Sequence, residues 1–96
     1  MRLTPFERKT IQAVVKKFDE KADVFLYGSR TQDSLRGGDI DLLILSERLG
    51  FSDKIGILVK LKECLGEQKI DVLIKTGRDS RSDPFVAEIM KTAVPL

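Results

Sequence analysis

Apolar residues recur along this chain at two different spacings, one helical and one strand-like. Ile11, Val14, Val15 and Phe18 follow the three- and four-residue steps of a single helix face. Ahead of them, Thr4-Pro5-Phe6-Glu7 reads as a helix start, with Thr4 as the N-cap, Pro5 at the first position and Glu7 reaching back to the cap. Asp19-Glu20-Lys21 is a polar turn. Val24-Phe25-Leu26-Tyr27 is a short run of strand formers cut off by Gly28-Ser29. A polar stretch from Arg30 to Gly38 follows, and Asp39 to Leu45 reads as a second, largely buried strand. Ser52 is a candidate cap for a second long helix with Ile55, Leu58, Leu61 and Leu65 on its inner face, and Gly66 suits its left-handed C-terminal cap. Lys69 to Lys75 reads as a third strand and Thr76 to Ser82 as a polar loop. Asp83-Pro84 opens a last helix with Phe85, Val86, Ile89, Met90 and Ala93 inward, closed by Pro95.

The order is therefore helix, strand, short helix, strand, helix, strand, helix. It predicts an α+β (α/β) fold, a small three-stranded sheet with helices packed on it. No repeat, linker or low-complexity stretch interrupts the 96 residues, so 1–96 is expected to form a single domain. A chain of this size hides roughly 60–65% of the surface its unfolded form exposes, enough for one core.

Composition removes several kinds of chemistry. There is no histidine, which excludes Ser-His-Asp triads, Cys-His nucleophiles and His-ligated zinc. The single cysteine, Cys64, excludes an internal disulfide, and its place between Leu61 and Leu65 predicts a partly buried small hydrophobe. Seventeen basic against fifteen acidic residues leave a net charge of +2, too slight for a general nucleic-acid footprint. With five Phe, one Tyr and no Trp, a base-stacking platform is also missing. The longest apolar runs are four residues, such as Leu42-Leu43-Ile44-Leu45, far from the ~20 of a membrane span. The N-terminus lacks the apolar core of a signal peptide, and a reducing, cytoplasmic setting is expected. What remains is chemistry by carboxylates, hydroxyls, backbone amides and a metal.

Asp39 and Asp41 are two apart in a predicted strand, so both side chains point to one face. Two carboxylates so close repel each other unless a cation joins them. Magnesium takes hard oxygen ligands and is held by one or two carboxylates plus substrate phosphates. Asp71 lies in the third strand and faces the same pocket if that strand pairs with the second. By itself Asp-x-Asp fits solvated strand ends as well. Upstream, Gly28 permits a tight turn and a close approach to a ligand. Backbone amides there, with the Ser29 hydroxyl, could cradle a phosphate; an ordinary Gly-Ser turn has the same sequence. Arg30 and Arg36 fit phosphate contacts or a solvated surface, and Arg78 and Arg81 fit a solvated loop. Tyr27 is read as packing.

The conjunction is specific. Gly28-Ser29, nine intervening residues, Asp39-Ile40-Asp41 running on into an apolar strand, and a later strand Asp71 resemble the nucleotidyltransferase superfamily of DNA polymerase beta. In particular the chain resembles the minimal nucleotidyltransferase domains. Members often have ten residues in that interval, and Thr31-Gln32-Asp33 replaces a common small-residue and second-arginine pattern.

The resemblance implies that Gly28, Ser29 and Arg30 bind the phosphates of a nucleoside triphosphate, ATP by preference. It implies that Asp39 and Asp41 ligate two Mg2+ ions, and that Asp71 completes a metal site and helps deprotonate the attacking hydroxyl. The implied activity is transfer of AMP, or another NMP, to a hydroxyl. The chain is too short for a nucleic-acid or antibiotic-binding domain, so the implied acceptor is a small helical partner protein of the HEPN type, in a toxin–antitoxin pair. The rival reading is a non-catalytic binding module that neutralises a partner by contact; paired carboxylates serve no purpose in it.

Overall fold

The structure, a computed structural model, describes residues 3–28, 39–66 and 68–96. Helix α1 (Pro5–Phe18) begins where the capping residues place it. The Glu7 amide donates to the Thr4 hydroxyl at 3.0 Å, and the Thr4 amide donates to the Glu7 carboxylate at 2.9 Å. These two bonds satisfy amides that a helix start otherwise leaves open. Ile11, Val14 and Val15 are buried, as their spacing requires.

Among the described residues, four strands form one sheet: β1 (Asp23–Tyr27), β2 (Ile40–Leu45), β3 (Ile70–Lys75) and β4 (Val94–Pro95), in spatial order β3-β2-β1-β4. β1 pairs antiparallel with β2 and β4, whereas β2 and β3 run parallel. A parallel pair needs a long crossover, and helix α2 (Phe51–Leu65) supplies it. Helices α3 (Asp79–Ser82) and α4 (Pro84–Met90) connect β3 to β4.

Strand alternation then sorts the side chains into two layers. Ile40, Leu42 and Ile44 of β2, Ile70 and Val72 of β3, and Val24 and Leu26 of β1 pack with Ile11, Val14 and Val15 of α1 and Ile57 and Leu61 of α2. On the opposite face, Leu43 packs with Val86 and Ile89 of α4, flanked by Phe25, Tyr27, Leu45 and Leu73. Asp39, Asp41 and Asp71 share the alternation of Leu43 and Leu73, so they belong to the α4 face, at the starts of β2 and β3.

Several expectations change. The sheet has four strands rather than three, because Pro95 does not end the last helix. That helix stops at Met90, and Val94–Pro95 pairs with β1. Leu96 donates its amide to the Val24 carbonyl at 3.0 Å, which extends this edge. Ser52 does not cap α2. Gly50 is the N-cap, and the Asp53 carboxylate accepts the Gly50 amide at 2.8 Å. Ile57, not Ile55, joins Leu61 inside, and Ile55 and Phe85 are exposed. Cys64 is exposed rather than partly buried, and the loop 76–82 contains α3. The short helix expected between Gly28 and Asp39 lies outside the described residues.

One buried polar pair joins the end of α1 to the end of β2. The Ser46 hydroxyl donates to the Asp19 carboxylate at 2.6 Å and accepts the Arg48 and Leu49 amides at 3.1 Å each. The Ser46 bond, then the Lys21 amide, holds the Asp19 carboxyl below its ordinary value of 3.8, against the effect of burial. A lowered carboxylate pKa means that the unfolded chain binds more protons in acid. The stabilisation is therefore complete above the ordinary value and is lost as pH falls through the lower folded one. Asp19→Asn should lower the melting temperature at pH 7, and thermal melts should show the gap closing below about pH 4. A gap that ignores pH would assign Asp19 no ionic role.

Candidate active site

The strand registers bring the acidic residues together. Asp41 of β2 lies directly beside Asp71 of β3 in the parallel register, and across from Tyr27 of β1 in the antiparallel one. Asp39 precedes Asp41 by two residues and so returns to the same face. Each of the three aspartates offers a carboxylate oxygen within 4.8 Å of the others. Asp39 and Asp41 are half-buried and Asp71 is exposed, so the cluster opens to solvent on one side.

The cluster's electrostatics are those of a site short of positive charge. Burial pushes the Asp41 carboxyl up, and the negative charges of Asp71 and Asp39, with an Asp41–Asp71 hydrogen bond, push it further. The Lys69 ammonium pulls the other way, and Lys69 Nζ lies 3.4 Å from Asp39 Oδ2. Burial raises the Tyr27 phenol too, and Asp41 and Asp71 add to the shift. Three converging carboxylates, one of them disfavoured as an anion, form a hard-oxygen donor set that a divalent cation would relieve.

Gly28 joins the upstream motif to this cluster. Its φ is +80, in the left-handed region. A Cβ built on it would collide with the Asp41 carboxylate. The glycine therefore serves two needs, the turn that ends β1 and room for Asp41 to stand where it does. Ser29 and Arg30, expected to bind phosphates, lie outside the described residues, as do Arg36 and the Gly37-Gly38 pair.

Two neighbours of the cluster were not apparent as site residues. Tyr27, read as packing, does pack against the α4 layer but also lies opposite Asp41. Lys69 carried a usable signal, since a residue two before Asp71 in an extended segment shares its face. Arg78 and Arg81 are exposed and line a hollow with Glu47, Thr76 and Gly77 past the far ends of β2 and β3, away from the aspartates. A cavity of about 570 Å3 between α1 and the β1–β4 edge includes none of the candidate residues.

A half-open α+β sheet carrying three aspartates at adjacent strand starts is the frame of a nucleotidyltransferase domain. The chain belongs to the polymerase beta nucleotidyltransferase family, whose model matches residues 9–96. Among solved structures it is similar to a crystal structure of the toxin–antitoxin MntA–HpeT, in a double aspartate-to-glutamate mutant. The TM-score is 0.67 at 20% identity, over 93% of this chain and 70% of that one. At this identity the likeness shows a common fold. No protein of curated function matches the chain. Among the described residues, no helix is long and apolar enough to cross a membrane.

Two measurements check this geometry. In metal-free protein, Asp41 holds its proton more tightly folded than unfolded. The resulting penalty is absent below the ordinary value of 3.8 and appears as pH rises through the raised folded value. Asp41→Asn should therefore melt higher than wild type at pH 7, by about 4–8 °C for each kcal/mol of repulsion relieved. The gain should fade toward pH 4. A lower melting temperature at pH 7 would show that Asp41 is not under charge stress. Separately, Gly28→Ala should lose about a hundredfold in nucleotidyl transfer, because the displaced Asp41 carboxylate no longer meets its partners. Wild-type turnover in Gly28→Ala would show that the close approach is dispensable.

Proposed function

We propose that this domain transfers AMP, or another NMP, from a nucleoside triphosphate to a hydroxyl on a partner protein and releases pyrophosphate. The observation that carries the reading is the convergence of Asp39, Asp41 and Asp71 within 4.8 Å, in a chain of the polymerase beta nucleotidyltransferase family. In this reading Asp39, Asp41 and Asp71 would hold two Mg2+ ions. When bound, these ions supply charge stabilisation to the attacking and leaving oxygens of an in-line displacement at the α-phosphorus.

The chain's own residues have distinct tasks. Gly28 keeps the turn after β1 clear of side chains, so that the following segment with Ser29 and Arg30 can approach the triphosphate. Asp41 in β2 and Asp39 just ahead of it would hold the ions. Asp71 stands on the solvent-open side and takes the proton of the incoming hydroxyl. No histidine is required, which accords with a chain that has none.

For the acceptor, the support is the fold shared with a toxin–antitoxin assembly and the exposure of Asp71. We take residues 1–96 to work as one domain, with a small helical protein of the HEPN type covering the open face and presenting the hydroxyl. A covered site excludes water, which strengthens the electrostatic interactions within it. The expected setting is cytoplasmic.

The test is incubation of this protein with its helical partner, ATP and Mg2+, followed by mass spectrometry of both chains. An AMP adduct on the partner, absent with Asp39→Asn/Asp41→Asn/Asp71→Asn, is the expected result. If the triple variant neutralises the partner as well as wild type does, and wild type forms no adduct, the protein is a binding module.

A further inference from the structure

We propose that Lys69 is the counter-ion of the metal-free site. Its ammonium occupies Asp39 until divalent cations displace it, and it then turns to the phosphates of the incoming nucleotide. This rests on the reading of the three aspartates as metal ligands.

The backbone of Lys69 is fixed, since its carbonyl accepts the Ile40 amide at 3.0 Å just ahead of the β2–β3 ladder. The side chain is not confined in this way. Lys69 Nζ sits 3.4 Å from Asp39 Oδ2, with the Lys69 side chain 72% exposed and that of Asp39 40% exposed. Among the described residues this is the ion pair made to the acidic cluster. It offsets one of the three negative charges that Asp39, Asp41 and Asp71 bring within 4.8 Å of one another.

An ion pair this exposed is weak, worth between nothing and about fivefold in an equilibrium. Weakness suits the role. A compact ammonium on a four-carbon stem neutralises the cluster loosely and leaves when a doubly charged ion arrives. Once two divalent ions are in place, the local charge turns positive and the ammonium is repelled from Asp39. A triphosphate carries the negative charge that can receive it. Nucleotide and metal would then load with positive coupling, because each weakens the Lys69–Asp39 contact that opposes the metal. Linkage makes that coupling reciprocal.

The experiment is titration of Mn2+, followed by the electron paramagnetic resonance of the free ion, with and without a non-hydrolysable ATP analogue. Wild type, Lys69→Met, Lys69→Arg and Lys75→Met are compared. Lys75 pairs with Asp83 at 3.4 Å, at the other end of β3, and controls for loss of one positive charge. Without nucleotide, Lys69→Met should bind Mn2+ roughly two- to fivefold tighter than wild type. The analogue should tighten Mn2+ binding less in Lys69→Met than in wild type, with Lys69→Arg restoring the wild-type pattern. Equal Mn2+ affinity in wild type and Lys69→Met, or the same gain in Lys75→Met, overturns the counter-ion role. An unreduced nucleotide effect overturns the hand-over to phosphate. If wild type binds no Mn2+ at all, or Asp39→Asn/Asp41→Asn binds it undiminished, the metal-site reading itself falls.

Discussion

Asp41 stands beside Asp71 because β2 and β3 run parallel in one particular register. Everything proposed for the site depends on that pairing. A slip of one residue would turn Asp71 toward the α1 and α2 layer and bring Ile70 and Val72 out of the core. The register is therefore held by burial: Ile70 and Val72 are almost wholly inside, alongside Ile40 and Leu42. The hydrophobic layer on one face fixes where charge can gather on the other. The same constraint explains the length of α2, whose fifteen residues return the chain along the sheet so that β3 can start level with β2.

That arrangement asks the fold to tolerate what it would otherwise exclude. Three carboxylates at one end of a small sheet repel one another, and burial of Asp41 adds to the cost. The protein accommodates them by leaving Asp71 exposed and by letting Lys69 lean on Asp39. Among the described residues, no buried side-chain polar atom lacks a hydrogen-bond partner. Ser46 satisfies Asp19, and Asp83 caps α4 while pairing with Lys75.

Much of this was legible in the sequence, and for identifiable reasons. The start of α1 follows from Thr4, Pro5 and Glu7 because capping chemistry is local. The strands around Asp41 and Asp71 follow from alternation, which needs no knowledge of the partner strand. The departures involve distant neighbours. Ile55 and Ile57 are both apolar, and only the packing of α2 against α1 and the sheet decides which is buried. Val94–Pro95 has too few residues to announce a strand, and it becomes one because β1 has a free edge beside it. The close approach of Gly28 and Asp41 joins positions thirteen residues apart, so the sequence alone does not show that this glycine leaves room for a carboxylate. Lys69 does not by itself mark a site, because a lysine at a strand start has many ordinary uses.

The two outer strands of the sheet differ in how they resist addition of another chain. β4 is two residues long and contains a proline, so it offers almost no ladder to extend. β3 is a full six residues and lies at the other edge. Its protection is charge: Asp71 near one end, Lys75 at the other and Lys69 just outside. Charged side chains make an edge a poor template for edge-to-edge association. The carboxylate assigned to chemistry thus also helps keep an open sheet from recruiting strands of its own kind, and an apolar residue at position 71 would remove part of that protection along with the proposed activity.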